Sequence, residues 1–191
     1  MRRLPRGGHE VTDLVFEERH PDAVLTVAGD GPERTMLEDL ARQLRLRNTT
    51  FTGQVSNSEM PQLYDQADIY LNSSEIDNMP LSIIEAYACG TSVVTTDPGG
   101  IPYMLVHEQT GLLVPQRKPE ALAAAAMRLL EDPALAERII TNARATCEQY
   151  TWEATRRQWV ALYTGLARGS LTAESQRRAG TSSFDRLTSH E

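Results

Sequence analysis

Short apolar runs alternate with amphipathic stretches along most of this chain, and this alternation is the feature that most constrains its fold. The first run, residues 23–29, contains β-branched residues and ends in the turn sequence Gly-Asp-Gly-Pro, which is typical of a buried strand. The next stretch, 32–46, repeats Met, Leu and Ala at the three- and four-residue spacing of a helix. The same pair of signals recurs with short connections, which indicates βαβ units and a parallel sheet.

Applied along the chain, these two signals divide it into strands and helices. The predicted strands cover 23–29, 49–53, 67–73, 91–97 and 111–115, and the predicted helices cover 32–46, 60–67, 80–90, 118–131, 134–149 and 151–167. We therefore expect an α/β fold in which right-handed crossovers give an open, doubly wound parallel sheet of the Rossmann type. Ligands bind beyond the carboxyl ends of the strands in such sheets, so a site is expected in the loops 29–32, 53–58, 73–80 and 96–102.

Charge and composition restrict the partners of the chain. A formal net charge of −7 disfavours nucleic acids and anionic membrane surfaces, because both require a basic face. No apolar run is long enough for a membrane span, and the two cysteines are isolated, so we expect a cytoplasmic protein without a disulfide framework. The four histidines have no metal-ligand spacing, and no metal site is expected.

The predicted helix 80–90 follows a loop that contains acidic residues. Its apolar residues Leu81, Ile84 and Ala88 share one face, which is expected to point to the core, while Ser82 and Glu85 share another. The N-terminus of a helix offers unpaired backbone N–H groups and a partial positive charge, which suit a phosphate. Side chains on a helix lean toward that end, so Ser82 and Glu85 are expected to lean toward such a phosphate.

Two carboxylates flank this helix start, and their positions suit a nucleotide sugar. Glu85 lies about one turn, roughly 5 Å, along the helix, where it can accept hydrogen bonds from a ribose diol. Asp77 lies in the preceding loop and can reach hydroxyl groups of the sugar on the other side of the phosphates. Glu75 is expected to be solvated, and Gly99 and Gly100 are interpreted as a turn or as room for the donor.

Six segments, in order, resemble the retaining GT-B glycosyltransferases of family 4. They are VAGDGPE, FTGQV, ADIYLNSS, DNMPLSIIE, EAYACGTSVVTTDPGGIP and TGLLVP, and the resemblance extends from about residue 22 to 166. The family has two acids eight residues apart, and the matching pair here is Asp77 and Glu85. The resemblance implies the C-terminal, donor-binding half of a GT-B fold. It also implies transfer of a glycosyl group, with retention, from a UDP- or GDP-linked sugar, without a cofactor or a metal.

The resemblance also assigns roles to matching positions. Asp77, which would contact the donor sugar, and Glu85, which would bind the ribose, are the predicted catalytic residues. The other predicted donor-binding residues frame the nucleobase, begin the helix or supply positive charge. They are Gly53, Gln54 and Val55 in the base loop, Asn78, Met79, Leu81 and Ser82 at the helix start, and Arg3 and Arg6 near the N-terminus.

The sequence pattern, together with the resemblance, predicts how the chain is divided. Residues 1–22 are expected to be a truncated N-terminal segment, in part helical over about 9–19. Residues 23–167 are expected to form the nucleotide-sugar-binding domain, and 168–191 a disordered polar tail. The acceptor, whether a glycan, a lipid or a small molecule, is left open by the sequence.

Departures from the family pattern leave other functions open. Pro80 has no N–H for a phosphate, and the family's basic Arg-Lys pair has no clear lysine here. Because the family's N-terminal acceptor domain is also absent from this sequence, we expect the isolated chain to be inactive or very slow, and to associate with such a domain or with itself. The alternatives are a non-catalytic nucleotide-binding or interaction module, a truncated inactive fragment, and a GT-B-fold epimerase or phosphorylase.

Overall fold

The computed structural model describes residues 19–167, in which strands and helices alternate. The strands are β1 (Leu25–Ala28), β2 (Thr49–Gly53), β3 (Ile69–Asn72), β4 (Ser92–Thr96) and β5 (Leu112–Val114). The helices are α1 (Arg34–Leu44), α2 (Met60–Asp65), α3 (Leu81–Cys89), α4 (Ile101–Met104), α5 (Pro119–Glu131), α6 (Pro133–Cys147) and α7 (Trp152–Ala167), with a 3-10 turn at Glu148–Tyr150. Every strand and helix predicted within this range is present, with ends that agree to within two residues.

Two predicted segments, the helix over about 9–19 and the tail 168–191, lie almost wholly outside the described residues. The short helix α4 was not predicted, because its four residues are too few to show a helical period. It begins directly after Gly100, with Pro102 at its second position, where the missing N–H of proline costs nothing.

The three pairings among the strands of residues 19–167 are parallel, which confirms the predicted α/β class. The described strands form two hydrogen-bonded ladders rather than one continuous sheet: β1 pairs with β2, and β4 lies between β3 and β5. Each parallel connection crosses over through a helix, as the geometry of parallel pairing requires. In the three-stranded ladder the loops after β3, β4 and β5 therefore emerge at the same edge.

The main hydrophobic core surrounds β4. All five residues of this strand are buried, as expected for a central parallel strand that is covered on both faces. Helices α5 and α6 contribute to one side of this core. Its cluster of buried side chains contains Val94, Leu112, Val114, Leu122, Ala126, Leu129, Leu135 and Ile139.

Helix α3 buries a different face from the predicted one. Its buried residues are Ile83, Ala86 and Tyr87, whereas Leu81 is 69% exposed, so the prediction that Leu81 points to the core was wrong. The physical reason is that apolar residues occupy most positions of this helix, so that two stripes satisfy helical spacing equally well. The consequence is that Leu81 lies at the open mouth of the helix.

Residues 146–167 belong to a second compact unit, which contains the last residues of α6, the 3-10 turn and α7. Within this unit the rings of Trp159 and Tyr163 stack, with centroids 5.6 Å apart. None of the helices between residues 19 and 167 is both long enough and apolar enough to cross a bilayer.

The core around β4 predicts that two isoleucines differ greatly in how much stability is lost when each is replaced by alanine. Ile139 is 0% exposed in the cluster, whereas Ile76, in the loop after β3, is 93% exposed. We expect Ile139→Ala to lower the free energy of unfolding by about 2–5 kcal/mol, through lost burial and the cavity left behind, and Ile76→Ala to change it by less than about 0.5 kcal/mol. Urea unfolding of the two variants measures both values, and similar losses in the two would contradict this description of the core.

Candidate functional site

The site is built around the start of α3. Pro80 lies at the N-cap with an extended backbone, and no side chain caps the helix. The first hydrogen bond of the turn runs from the Ile83 N–H to the Pro80 carbonyl, at 3.2 Å, and within the described residues the N–H groups of Leu81 and Ser82 have no acceptor. The helix ends at Gly90, whose left-handed conformation (φ 78°) confirms the predicted stop. The mouth of α3 therefore offers open donors and the positive end of the helix dipole.

The loop that leads to α3 is held at its beginning by side chains of β3 and β4. The Thr96 hydroxyl donates to the Ser74 carbonyl at 2.6 Å, and thus fastens the loop to the end of β4. The Asn72 side-chain oxygen accepts from both the N–H and the hydroxyl of Ser74, at 3.1 and 2.7 Å. Because these contacts involve buried or half-buried groups, they fix the direction in which the chain leaves β3.

The same loop is held at its end by a close contact between two stretches of backbone. The Gly100 N–H donates to the Asp77 carbonyl at 3.3 Å. A Cβ on Gly99 would come well within 3.0 Å of the Asp77 carbonyl oxygen. A Cβ on Gly100 would come equally close to the Asn78 carbonyl oxygen. The two glycines are therefore required by the approach of the protein's own backbone, and the contact sets the position of Asp77.

Asp77 is half-buried at this point. Its Oδ1 accepts a hydrogen bond of 2.7 Å from the Asn78 N–H, and within the described residues Oδ2 has no partner. Asn78 and Met79 are exposed beside it. The carboxylate is thus oriented by one oxygen, and the other is available to a ligand.

Glu85 lies on the exposed side of α3 and is held by a tyrosine from α2. The hydroxyl of Tyr64 lies 3.1 Å from Glu85 Oε2 and 3.3 Å from the Ser82 carbonyl oxygen, so its one proton is shared between them. Within the described residues Glu85 Oε1 has no hydrogen-bond partner. Burial, reinforced by the negative charge of Glu85, raises the pKa of Tyr64 far above its usual value, so the phenol remains a donor.

A second tyrosine, Tyr70 of β3, holds Ser82. Its hydroxyl donates to Ser82 Oγ at 2.8 Å. Burial raises the pKa of Tyr70, the hydrogen bond to Ser82 opposes the rise, and the charges of Asp77 and Glu85 add to it. Both acids therefore lie close enough to act electrostatically on the same phenol.

These two tyrosines hold Glu85 and Ser82, and the sequence analysis gave them no role in the site. Their rings meet edge to face, with centroids 5.7 Å apart. A signal was present, since a tyrosine on the buried face of a predicted helix needs a hydrogen-bond partner for its hydroxyl. The sequence could not identify that partner, because Tyr64 and Glu85 belong to different helices, 21 residues apart.

The predicted nucleobase loop lies at the end of the other ladder. Gly53 is buried with a positive φ of 71°, and its carbonyl accepts from the Gly29 N–H at 2.9 Å. A Cβ there would come within 2.6 Å of Arg34 Nη1. Gln54 is exposed and Val55 half-buried, and in the described part of the chain no hydrogen bond joins residues 53–55 to residues 77–85.

The predicted cations Arg3 and Arg6 lie outside the described residues. A cation that was not predicted, Arg117, follows β5 and donates to Glu75 Oε2 at 2.7 Å. Glu75 is exposed, as expected, and it also pairs with Arg117; because both partners are exposed, such a pair contributes little stability. Among residues 19–167 no three His, Cys, Asp or Glu side chains are grouped so that they could hold a metal ion.

Comparison with known proteins places this chain among the group 1 glycosyl transferases. The family model described as "Glycosyl transferases group 1" matches residues 6–146. The glycogen synthase of Mycobacterium tuberculosis strain CDC 1551 is 34% identical over 152 residues, which are 78% of this chain and 37% of that protein. The chain thus spans little more than a third of the length of this curated relative.

Two solved structures share the fold. Sucrose-phosphate synthase from Thermosynechococcus elongatus has a TM-score of 0.73 and 32% identity, over 87% of this chain and 44% of that one. Alr3699/HepE of Anabaena, solved in complex with UDP-glucose, has a TM-score of 0.71 and 24% identity, over 86% of this chain and 47% of that one. An identity of 24% shows likeness of fold alone.

The backbone contact at Gly100 predicts a steric effect that a matched glycine lacks. We expect Gly100→Ala to lower the free energy of unfolding by about 1–3 kcal/mol, because the atom it would meet is a backbone oxygen that cannot rotate away. Gly31→Ala is the control, since a Cβ there meets nothing within 4 Å. Thermal and urea unfolding of both variants measure the effect, and a Gly100→Ala protein as stable as the wild type would rule out the close contact.

Proposed function

Because the chain belongs to the family of group 1 glycosyl transferases, we propose that it is the donor-binding, C-terminal domain of a retaining enzyme of family 4. In this proposal it binds a nucleoside diphosphate sugar and transfers the glycosyl group to an acceptor. The observation that carries the proposal is the open start of α3, with the oriented carboxylates of Asp77 before it and Glu85 along it. Two oriented carboxylates beside free N–H donors match the two ends of such a donor and the phosphates between them.

The diphosphate would lie on the mouth of α3. The N–H groups of Leu81 and Ser82 are open there, and the helix dipole favours an anion. Ser82 Oγ accepts from Tyr70, so the proton of its own hydroxyl is free to be donated to a phosphate oxygen. These donors would also stabilise the negative charge that develops on the diphosphate as the bond to the sugar breaks.

Glu85 would bind the ribose. A ribose diol presents two donors, and this carboxylate keeps Oε1 open while Oε2 is anchored by Tyr64. Asp77 would bind hydroxyl groups of the transferred sugar through its open Oδ2. Met79 and Asn78 would line the donor between them, and Gly53, Gln54 and Val55 would frame the base.

The activity of a whole enzyme requires an acceptor site as well. This chain spans 37% of the length of its glycogen synthase relative. We therefore expect the chain to bind the donor alone and to turn over slowly without an acceptor-binding domain. A non-catalytic nucleotide-binding module would bind the same donor, and addition of an acceptor domain would then restore no transfer.

Replacement of Glu85 tests the ribose assignment. UDP is the first nucleotide to titrate, because a protein of the same fold was solved with UDP-glucose; GDP and ADP follow. We expect Glu85→Ala to weaken binding about 10- to 100-fold, the range for lost hydrogen bonds to a charged group. Isothermal titration calorimetry measures this, with Glu120→Ala, an exposed glutamate in the first turn of α5, as the control. Equal affinities for Glu85→Ala and wild type would eliminate the assignment.

Asp77 is tested by comparing two ligands that differ only in the sugar. We expect Asp77→Ala to weaken UDP-glucose binding several-fold more than UDP binding, because only UDP-glucose has the sugar hydroxyl groups that would donate hydrogen bonds to Oδ2. Asp68→Ala, at an exposed aspartate before β3, is the control. Titration calorimetry with both ligands gives the ratio, and an equal loss for UDP and UDP-glucose would remove Asp77 from the sugar site.

A further inference from the structure

We propose that Tyr64 is a positioning residue for Glu85: its hydroxyl fixes the carboxylate in the orientation that accepts the ribose. This inference rests on the proposed function, because it concerns the ribose that Glu85 would bind. It assigns a role to a buried side chain on α2, a helix that supplies none of the predicted donor-binding residues.

Tyr64 is itself held rigidly, as a positioning residue must be. Its side chain is 5% exposed, and its ring meets that of Tyr70 edge to face. Its backbone carbonyl accepts a hydrogen bond of 2.9 Å from the buried hydroxyl of Thr91, the residue directly before β4, and this bond ties the end of α2 to the start of that strand. The phenol hydroxyl therefore has a fixed position relative to the central strand of the ladder.

Glu85, in contrast, lies on an exposed part of α3 and has three rotatable side-chain bonds. A glutamate in this situation samples several rotamers, and a ligand that needs one of them must order the side chain on binding. The hydrogen bond from Tyr64 to Oε2 selects one orientation before the ligand arrives. The phenol also stays protonated over the physiological pH range, because burial and the charge of Glu85 raise its pKa.

The two tyrosines hold residues that would bind different parts of the nucleotide. Tyr64 donates to the carboxylate that would bind the ribose, whereas Tyr70 donates to Ser82, on the phosphate side. Tyr70→Phe is thus a matched control for Tyr64→Phe. Each variant removes one hydroxyl from the same pair of rings and leaves the aromatic packing in place.

The first measurement needs no ligand. It is an NMR measurement on protein that is isotopically labelled at glutamate Cδ. The carbon resonance of Glu85 is identified as the one that disappears in the Glu85→Gln variant. We expect Tyr64→Phe to shift this resonance much more than Tyr70→Phe does. An unmoved Glu85 resonance in Tyr64→Phe would overturn the proposal, whatever the chain binds.

The second measurement compares UDP with 2′,3′-dideoxy-UDP, which lacks the diol. We expect Tyr64→Phe to weaken the binding of UDP about tenfold and the binding of the dideoxy compound less than about twofold, because only the diol can donate hydrogen bonds to Glu85. Tyr70→Phe should weaken both by the same factor, and Tyr64→Phe should add nothing to Glu85→Ala. If Tyr64→Phe lost the same factor in affinity for both ligands, Tyr64 would have a purely structural role, and the proposal would be overturned. If the wild type binds neither UDP, GDP nor ADP, the proposed function fails, and the Glu85 resonance alone decides whether Tyr64 orients it.

Discussion

The geometry of the site depends on one steric constraint: the backbone of residues 77–78 lies directly against the backbone of Gly99 and Gly100. No side chain fits between these two stretches, so the loop after β3 and the loop after β4 are joined at a fixed distance. Because β4 is buried along its whole length and lies between β3 and β5, this contact ties the exposed loop to the central, buried strand of the ladder. Asp77 and the start of α3 both take their positions from it.

The start of α3 places hydrogen-bond donors beside two carboxylates. The mouth of α3 carries the positive end of the helix dipole and two N–H groups without acceptors in the described structure. Both nearby carboxylates have one oxygen engaged, by the Asn78 N–H in one case and by Tyr64 in the other. Carboxylates oriented in this way are suited to accept hydrogen bonds from hydroxyl groups, and the open N–H groups at the start of α3 are suited to donate to phosphates. A nucleotide sugar combines the two kinds of group in that order.

Much of the fold could be predicted because its signals are local. The strand 49–53 was predicted with the bounds that the structure has, and Gly90 ends α3 as its sequence position suggests. The phase of α3 could not be predicted, because the helix is apolar nearly all round, and Leu81 proved exposed while Ile83 and Tyr87 are buried. The division of the strands into two ladders was not foreseen either, because the pairing partner of a strand is not a local property.

The same distinction applies to the site. Asp77, Ser82 and Glu85 were predicted from their positions along one helix and its loop together with the family resemblance, and their role in binding stays a prediction. The partners that orient them lie far away in sequence: Tyr64, Tyr70 and the Gly99-Gly100 pair are seen only once the chain is folded. Arg117 likewise pairs with Glu75 across 42 residues. Residues 53–55 keep their predicted role as a hypothesis, since no hydrogen bond of the described residues connects them to the acids.

The most direct test of the account is to follow the backbone amide resonances of the chain during a titration with UDP. The account predicts that the largest shifts occur at Leu81 and Ser82, the two open N–H groups at the mouth of α3, with smaller changes at Asn78 and Met79. Shifts that leave Leu81 and Ser82 unmoved while UDP binds elsewhere would contradict the central claim that this helix start holds the diphosphate.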